Sequence, residues 1–125
     1  MTATMSKQDR LNSTLTALRG ALPELRGVLI ATVDGLPIAQ AMSDGTDANR
    51  VAAMAATALG LGKRINDTLG SGQLTDMSVS GASGQVYIYA AGTKGVLAVV
   101  TPPGMNLGLL HMEARDTAQD VASIL

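Results

Sequence analysis

Hydrophobic residues recur at helical spacing near both ends of the chain. Leucines lie three or four residues apart from Leu11 to Leu22, Ser6 can cap the segment, and Pro23 closes it. This pattern predicts a first amphipathic helix over about residues 7–22. Asn106 is a suitable cap for a last helix. The apolar face of that helix comprises Leu107, Leu110, Ala114, Ala118, Val121 and Leu125.

Five short apolar runs between these helices predict β-strands. They cover residues 28–33, 36–42, 74–80, 85–91 and 96–101. The first and last runs are apolar almost throughout, which is typical of strands covered on both faces. Asp34-Gly35 predicts a tight hairpin with a type I′ turn. Pro37 cannot donate to a ladder, so the second strand is expected at an edge or with a bulge.

A third helix is predicted in the middle of the chain. Thr46 or Asp47 can cap it, and Gly70 follows its last apolar residue, Leu69. At 1.5 Å per residue its length is roughly 35 Å, which is long for a small domain. Residues 51–62 contain no charge and one hydroxyl group, that of Thr57. The segment therefore raises the question of which side faces water.

Three ribbons of residues run along this central helix, and we assign each a different environment. The widest is expected to face the sheet; it comprises Val51, Met54, Ala55, Ala58, Leu61, Ile65 and Leu69. The second is small at its middle and is expected to meet its own copy across a two-fold axis; it comprises Ala52, Ala56, Leu59 and Lys63. The third is polar mainly at its ends; it comprises Arg50, Ala53, Thr57, Gly60, Arg64 and Asp67. The alternative is a helix buried within the monomer, or one that exposes its alanines.

The order of elements is therefore α-β-β-α-β-β-β-α. Short links between strands favour an antiparallel sheet with helices on both faces, an α+β arrangement. At 125 residues the chain fits one domain, and residues 1–5 are expected to form a tail. The first residues lack an apolar signal core, and no apolar run approaches the length that spans a bilayer. We therefore expect a cytoplasmic protein without direct membrane insertion.

Composition excludes several kinds of function. The net charge is −1 and aromatic residues make up 2% of the chain, which disfavours binding of nucleic acid or of an anionic membrane surface. There is no cysteine and one histidine, so a zinc site of ordinary type cannot form. His111 lacks the constellation of a catalytic triad and is expected on a helix surface. The glycine-bearing segments 81–85 and 104–108 match turns rather than phosphate loops. We predict no catalytic residue, cofactor site or metal site.

Several segments in the correct order resemble the Roadblock/dynein light chain family. They are LRGVLIATVDGLPIA at 25–39, the alanine-rich helix, GVLAVVTPPGMNLGLL at 95–110 and EARDTAQDVASIL at the C-terminus. The resemblance implies a Roadblock/profilin-like sandwich, in which a five-stranded antiparallel sheet has one long helix on one face and two helices on the other. It also implies dimers, homomeric or heteromeric, formed through the second helix and the third strand, which adds Met77 to the expected interface.

The resemblance further implies that the protein binds or regulates a small Ras-like GTPase, as a GTPase-activating or signalling component without catalysis of its own. By this analogy the partner surface comprises Arg50, Ala53, Thr57, Arg64 and Asp67. The competing interpretation of these residues is ordinary solvated helix surface. Two other functions stay open: a structural scaffold with no effect on nucleotide turnover, and a small-molecule sensor.

Overall fold

The computed structural model describes residues 5–125, so the predicted tail lies outside the described residues except for Met5. The elements are α1 Lys7–Ala21, β1 Gly27–Thr32, β2 Pro37–Ala41, α2 Ala48–Leu69, β3 Asp76–Gly81, β4 Gly84–Ala91, β5 Gly95–Thr101 and α3 Leu107–Ile124. This order confirms the predicted succession of helices and strands. The helix caps are also as expected: the side chains of Ser6, Asp47 and Asn106 accept backbone N–H groups, and Gly70 ends α2 in the left-handed conformation.

One antiparallel sheet of five strands, in the order β2-β1-β5-β4-β3, forms the middle layer of the fold. α1 and α3 cover one face, over a core that includes Val28, Ile30 and Val99. α2 covers the other face, over Leu29 and Ile88. β1 and β5 lie in the middle of the sheet, which explains why their sequences are apolar in nearly every position.

The hairpin between β1 and β2 is confirmed, but its predicted type I′ turn is wrong. Type I′ requires positive φ at both central residues, whereas within residues 5–125 only glycines have positive φ, Gly35 (+90°) among them. The N–H of Gly35 donates to the carbonyl of Thr32, and the N–H of Thr32 donates to Leu36. Asp34 therefore lies in a turn without positive φ. Gly35 follows it in the left-handed region, as in three-residue hairpin loops.

Pro37 occupies the kind of position that its missing N–H allows. It begins β2, which is an edge strand, and it lies opposite Ala31 where the register with β1 shifts. Both alternatives for this proline, an edge and a bulge, are therefore present together.

The buried face of α3 differs from the predicted one at its first residue, whereas Leu125 at the other end packs, partly buried, against the core. Leu110, Ala114, Ala118 and Val121 are buried as expected, and Ile124 is buried with them. Leu107 is exposed instead, because it lies in the first turn of the helix and nothing within residues 5–125 covers it.

Candidate interaction surface on the second helix and third strand

α2 packs on the sheet mainly through small residues. Its buried positions are Ala52, Ala55, Leu59 and Gly62. At Gly62 an added Cβ would lie 2.9 Å from the sulfur of Met77 and 3.0 Å from a methyl carbon of Leu74. The helix backbone therefore approaches β3 closely at this point, and it does so because glycine has no side chain.

The predicted orientation of α2 is wrong for its large residues, whereas Ala55 is buried as predicted and Val51 and Ala58 are partly buried against the sheet. The large residues that were expected to face the sheet stand outward: Met54, Leu61, Ile65 and Leu69 are between 48% and 72% exposed. The physical reason is volume. The sheet already presents large side chains such as Leu29 and Ile88 toward the helix, so close packing leaves room for alanine and glycine above them.

The predicted dimer ribbon is wrong for two of its residues. Ala52 and Leu59 are 0% and 1% exposed within a single chain, so the chain's own sheet already covers them. Ala56, Lys63 and Met77 are partly exposed, and their place in an interface stays a prediction. Met77 does adjoin α2, through its contact with Gly62.

An apolar groove of about 460 Å³ lies between α2 and the sheet. It is open where Met54 and Val79, each 57% exposed, face solvent. Its apolar lining comprises Met42, Val51, Met54, Ala55, Ala58, Val79, Val86, Ile88, Ala98 and Val100, and Arg26, Ser43 and Thr46 complete it. Together with the outward residues of α2, the groove forms a continuous apolar surface that the monomer leaves uncovered.

The two edges of the sheet differ in how they are protected. At β2, Pro37 lacks a donor, and the side-chain amide of Gln8 on α1 donates to the carbonyl of Ile38 at 2.8 Å. β3 contains no proline, lysine or arginine, which are devices that proteins use to block an edge. Within residues 5–125, no side chain hydrogen-bonds to the backbone of Asp76–Gly81. The open edge is therefore the one beside the apolar groove.

The other flank of α2 carries the residues predicted to contact a GTPase. Arg50, Ala53, Thr57, Arg64 and Asp67 are all exposed. Ala53 lies against the β1–β2 hairpin, because an added Cβ at Gly35 would be 3.2 Å from the Ala53 Cα. The hairpin also presents Val33 and Leu36 to solvent, an apolar contribution that helical periodicity could not reveal because these residues lie on another element.

His111 is not a free surface residue, as the sequence suggested, but part of a half-buried polar cluster. Its Nδ1 lies 2.8 Å from the Tyr89 hydroxyl, and the Tyr87 ring meets it edge-on at 5.4 Å between centroids. Burial raises the pKa of Tyr89 above its usual range, and the neighbouring carboxylate of Asp76 adds to this effect. The cluster ties α3 to β4, a structural role.

The part of the chain that the structure describes contains neither a cluster of metal-ligating side chains nor a helix that could span a membrane. Among residues 5–125, histidine, aspartate and glutamate side chains form no group of three that could hold a metal ion. In the same range, no helix has the length and apolar character needed to cross a bilayer.

Comparison with known proteins identifies relatives of the whole fold. The sequence profile of the Roadblock/LC7 domain matches residues 11–101. An uncharacterized protein of Methanocaldococcus jannaschii, MJ1340, is 31% identical over 100 residues, which cover 80% of this chain and 87% of the relative. Myxococcus xanthus MglB superposes with a TM-score of 0.86 at 17% identity, over 99% of this chain and 93% of that one. A Roadblock/LC7 domain from Streptomyces avermitilis superposes with a TM-score of 0.82 at 21% identity, over 90% and 94% of the two chains.

Proposed function

The chain belongs to the Roadblock/LC7 family, and on this premise we propose that it is a dimeric interaction module that binds and regulates a small Ras-like GTPase. The observation that carries the proposal is the uncovered apolar surface of α2 beside the open edge of β3. The GTPase comes from the family resemblance. The apolar surface supports the dimer on which the partner would act.

The dimer is proposed to form through the outward face of α2 and through β3. Contiguous exposed apolar surface of this kind marks an interaction site in a small monomeric domain. A two-fold axis lets the same patch cover itself on a second copy. The corrected interface set replaces Ala52 and Leu59, and it comprises Met54, Ala58, Leu61, Ile65 and Val79, with Met77 beside it. Ala56 and Lys63 leave this set, because helical spacing places them on the flank of Ala53 and Asp67.

The GTPase is proposed to bind the opposite flank of α2, next to the β1–β2 hairpin. Arg50 and Arg64 supply positive charge there, and Thr57, Asp67 and the adjoining Ala53 complete the helical part. The hairpin residues Val33 and Leu36 add apolar area. Thr57 and Arg64 lie four residues before and three residues after Leu61 on the helix, so the proposed GTPase surface borders the proposed dimer face along the exposed side of α2.

Regulation would act on the chemistry of the GTPase rather than add a catalytic group. Arg50 and Arg64 are candidates for an arginine that stabilises transition-state charge in trans, a contribution of 10³–10⁵ in kcat where it occurs. A regulator without such an arginine can instead reposition the GTPase's own groups. The protein is therefore proposed to have no turnover of its own.

The test measures GTP hydrolysis by Ras-like GTPases encoded near this protein, with and without it. We expect binding and a changed turnover for one of them, and a loss of both in the Arg50→Ala/Arg64→Ala double variant. The control is Arg19→Ala, which removes an exposed arginine from α1 on the other face of the sheet. Binding and turnover unchanged for every such GTPase would contradict the proposal. Binding without any effect on turnover would favour the scaffold alternative.

A further inference from the structure

We infer that the apolar groove between α2 and the sheet binds an unbranched fatty acid, whose carboxylate is held by Arg26 and whose alkyl chain lies along β4. The inference goes beyond the proposed function, because it concerns a ligand that neither a second copy nor a GTPase supplies. One juxtaposition carries it. Arg26 is the charged residue of a groove whose other polar residues are Ser43 and Thr46, and the rest of its lining is apolar.

The guanidinium of Arg26 lies over the first residue of β4. Its Nη1 donates to the carbonyl of Ser83 at 2.6 Å, and an added Cβ at Gly84 would lie 3.0 Å from the same nitrogen. Side chains alternate between the two faces of a strand, so a Cβ at Gly84 would point to the α2 side, like the side chains of Val86 and Ile88. The cation therefore stands on the groove's side of the sheet, and the missing side chain at Gly84 leaves room for it.

Arg26 has N–H groups that no carboxylate of the chain receives. Its side chain is exposed, and within residues 5–125 it donates to one acceptor, the carbonyl of Ser83, although a guanidinium carries five N–H groups. The ion pair found in the same range joins Arg115 to Asp76. A guanidinium pairs with a carboxylate through two parallel hydrogen bonds, so the remaining N–H groups favour a carboxylate as the ligand.

The floor of the groove is an apolar track that starts at this cation. Along β4 the track passes Val86 and reaches Ile88, and Val79 and Val100 lie beside Val86 on the neighbouring strands. Val79 is 57% exposed and Ile88 is 3% exposed, so the track runs from an open side to a buried end that Ala55 of α2 helps to cover. The groove volume of about 460 Å³ is typical of sites for small molecules. An apolar chain with one anionic end matches this arrangement.

The length of the track selects the length of the chain. Ile88 lies four residues after Gly84, and a strand advances about 3.3 Å per residue, so the track is roughly 13 Å long. Three bonds of a fully extended chain advance about 3.5 Å, so roughly ten carbons reach from the cation to Ile88. Decanoate is therefore the probe that matches the track in both charge and length.

A second copy would not supply what Arg26 lacks. α2 and β3, through which the dimer is proposed, contain two carboxylates, those of Asp67 and Asp76. Asp76 pairs with Arg115 of α3, on the other face of the sheet, and Asp67 lies on the flank of Lys63. The apolar residues of a second copy would cover the open side of the groove over the bound chain, and they would bring no anion to Arg26.

Calorimetric titration with decanoate, below the concentration at which it forms micelles, tests the site. We expect saturable binding of one decanoate per chain. In Arg26→Gln the dissociation constant for decanoate should rise at least tenfold, because the carboxylate loses its cation, whereas uncharged 1-decanol should bind both proteins equally. Arg19→Gln changes an exposed arginine on α1 and should leave decanoate binding unchanged. No saturable binding to the wild type, or equal affinity of wild type and Arg26→Gln for decanoate, would overturn the inference.

A series of acids of different length tests the alkyl track in the wild-type protein. From hexanoate through octanoate to decanoate, the dissociation constant should fall about fourfold for each added CH2 group that is buried. A dissociation constant that does not change with chain length would mean that the chain stays in water, and it would overturn the inference. Val86→Phe, which fills the middle of the floor, should bind neither decanoate nor 1-decanol. A folded Val86→Phe protein with wild-type affinity would overturn the inference as well.

Sedimentation with and without decanoate separates this inference from the proposed dimer. A monomeric wild-type protein that binds decanoate as expected supports the ligand site and contradicts the dimer. A dimeric wild-type protein that binds no decanoate, while a monomeric Leu61→Glu variant does bind it, would show that the second copy itself occupies the groove. That result would overturn the inference and leave the dimer in place.

Discussion

The buried phenol of Tyr89 lies in a polar cluster that connects three elements of this fold. The residue lies on β4 with no exposed surface, and its hydroxyl pairs with Nδ1 of His111 on α3. On β3, Asp76 forms an ion pair with Arg115 of α3 at 3.2 Å. The negative charge of Asp76 and the apolar surroundings both disfavour a phenolate at Tyr89, so the pKa of Tyr89 lies above its usual range.

This raised pKa predicts a loss of stability in alkali. Below about pH 10 the tyrosine is neutral in both the folded and the unfolded chain, and its contribution is fully present. Above that pH the unfolded chain loses the proton while the folded chain keeps it, so the unfolded state is favoured by about 1.4 kcal/mol per pH unit. Urea unfolding between pH 9 and pH 11 measures the slope. Tyr89→Phe should have a shallower slope, and equal slopes for the two proteins would contradict the assignment.

At the scale of elements, the proposed function assigns different roles to the two flanks of α2. One flank faces the apolar groove, and the other adjoins the β1–β2 hairpin through Ala53. The buried side between them consists of small residues and one leucine, Leu59. The helix can therefore lie close to the sheet and still present large residues such as Leu61 to a second copy.

Charge substitutions on the two flanks should have separate effects. Leu61→Glu places a charge where the second copy is expected to remove water, so the dimer dissociation constant should rise at least tenfold. Ala53→Glu leaves the dimer intact and weakens binding of the GTPase beside the hairpin. Both sites are exposed in the protomer, so neither change should unfold it. Sedimentation and GTPase pull-down measure the two outcomes, and loss of the dimer in Ala53→Glu would contradict the separation.

At the scale of the whole molecule, local chemistry was predictable from the sequence and the facing of α2 was not. Caps such as Asp47, stops such as Gly70 and the edge position of Pro37 depend on a few neighbouring residues, and the pattern predicts them correctly. Hydrophobic periodicity ranks residues by apolarity, so it predicts that Met54 and Leu61 face the core. Which residues of α2 face the sheet depends instead on the free volume above it, and side chains from several strands determine that volume. The hydrogen bond from Gln8 to the carbonyl of Ile38 also joins residues that are too distant in sequence for a local pattern to show.

Because the apolar surface of α2 and the edge of β3 are uncovered in one protomer, folding and association should be coupled across the whole molecule. A partner that binds only the folded state stabilises it by mass action. For two identical copies, each tenfold rise in protein concentration above the dissociation constant should add about 1.4 kcal/mol to the free energy of unfolding per dimer. Thermal unfolding from 1 to about 100 μM measures this as a rising Tm. Leu61→Glu, which changes an exposed side chain of the protomer and is expected to weaken the dimer, should show no such rise; a wild-type Tm independent of concentration would mean that the surface is not covered by a second copy.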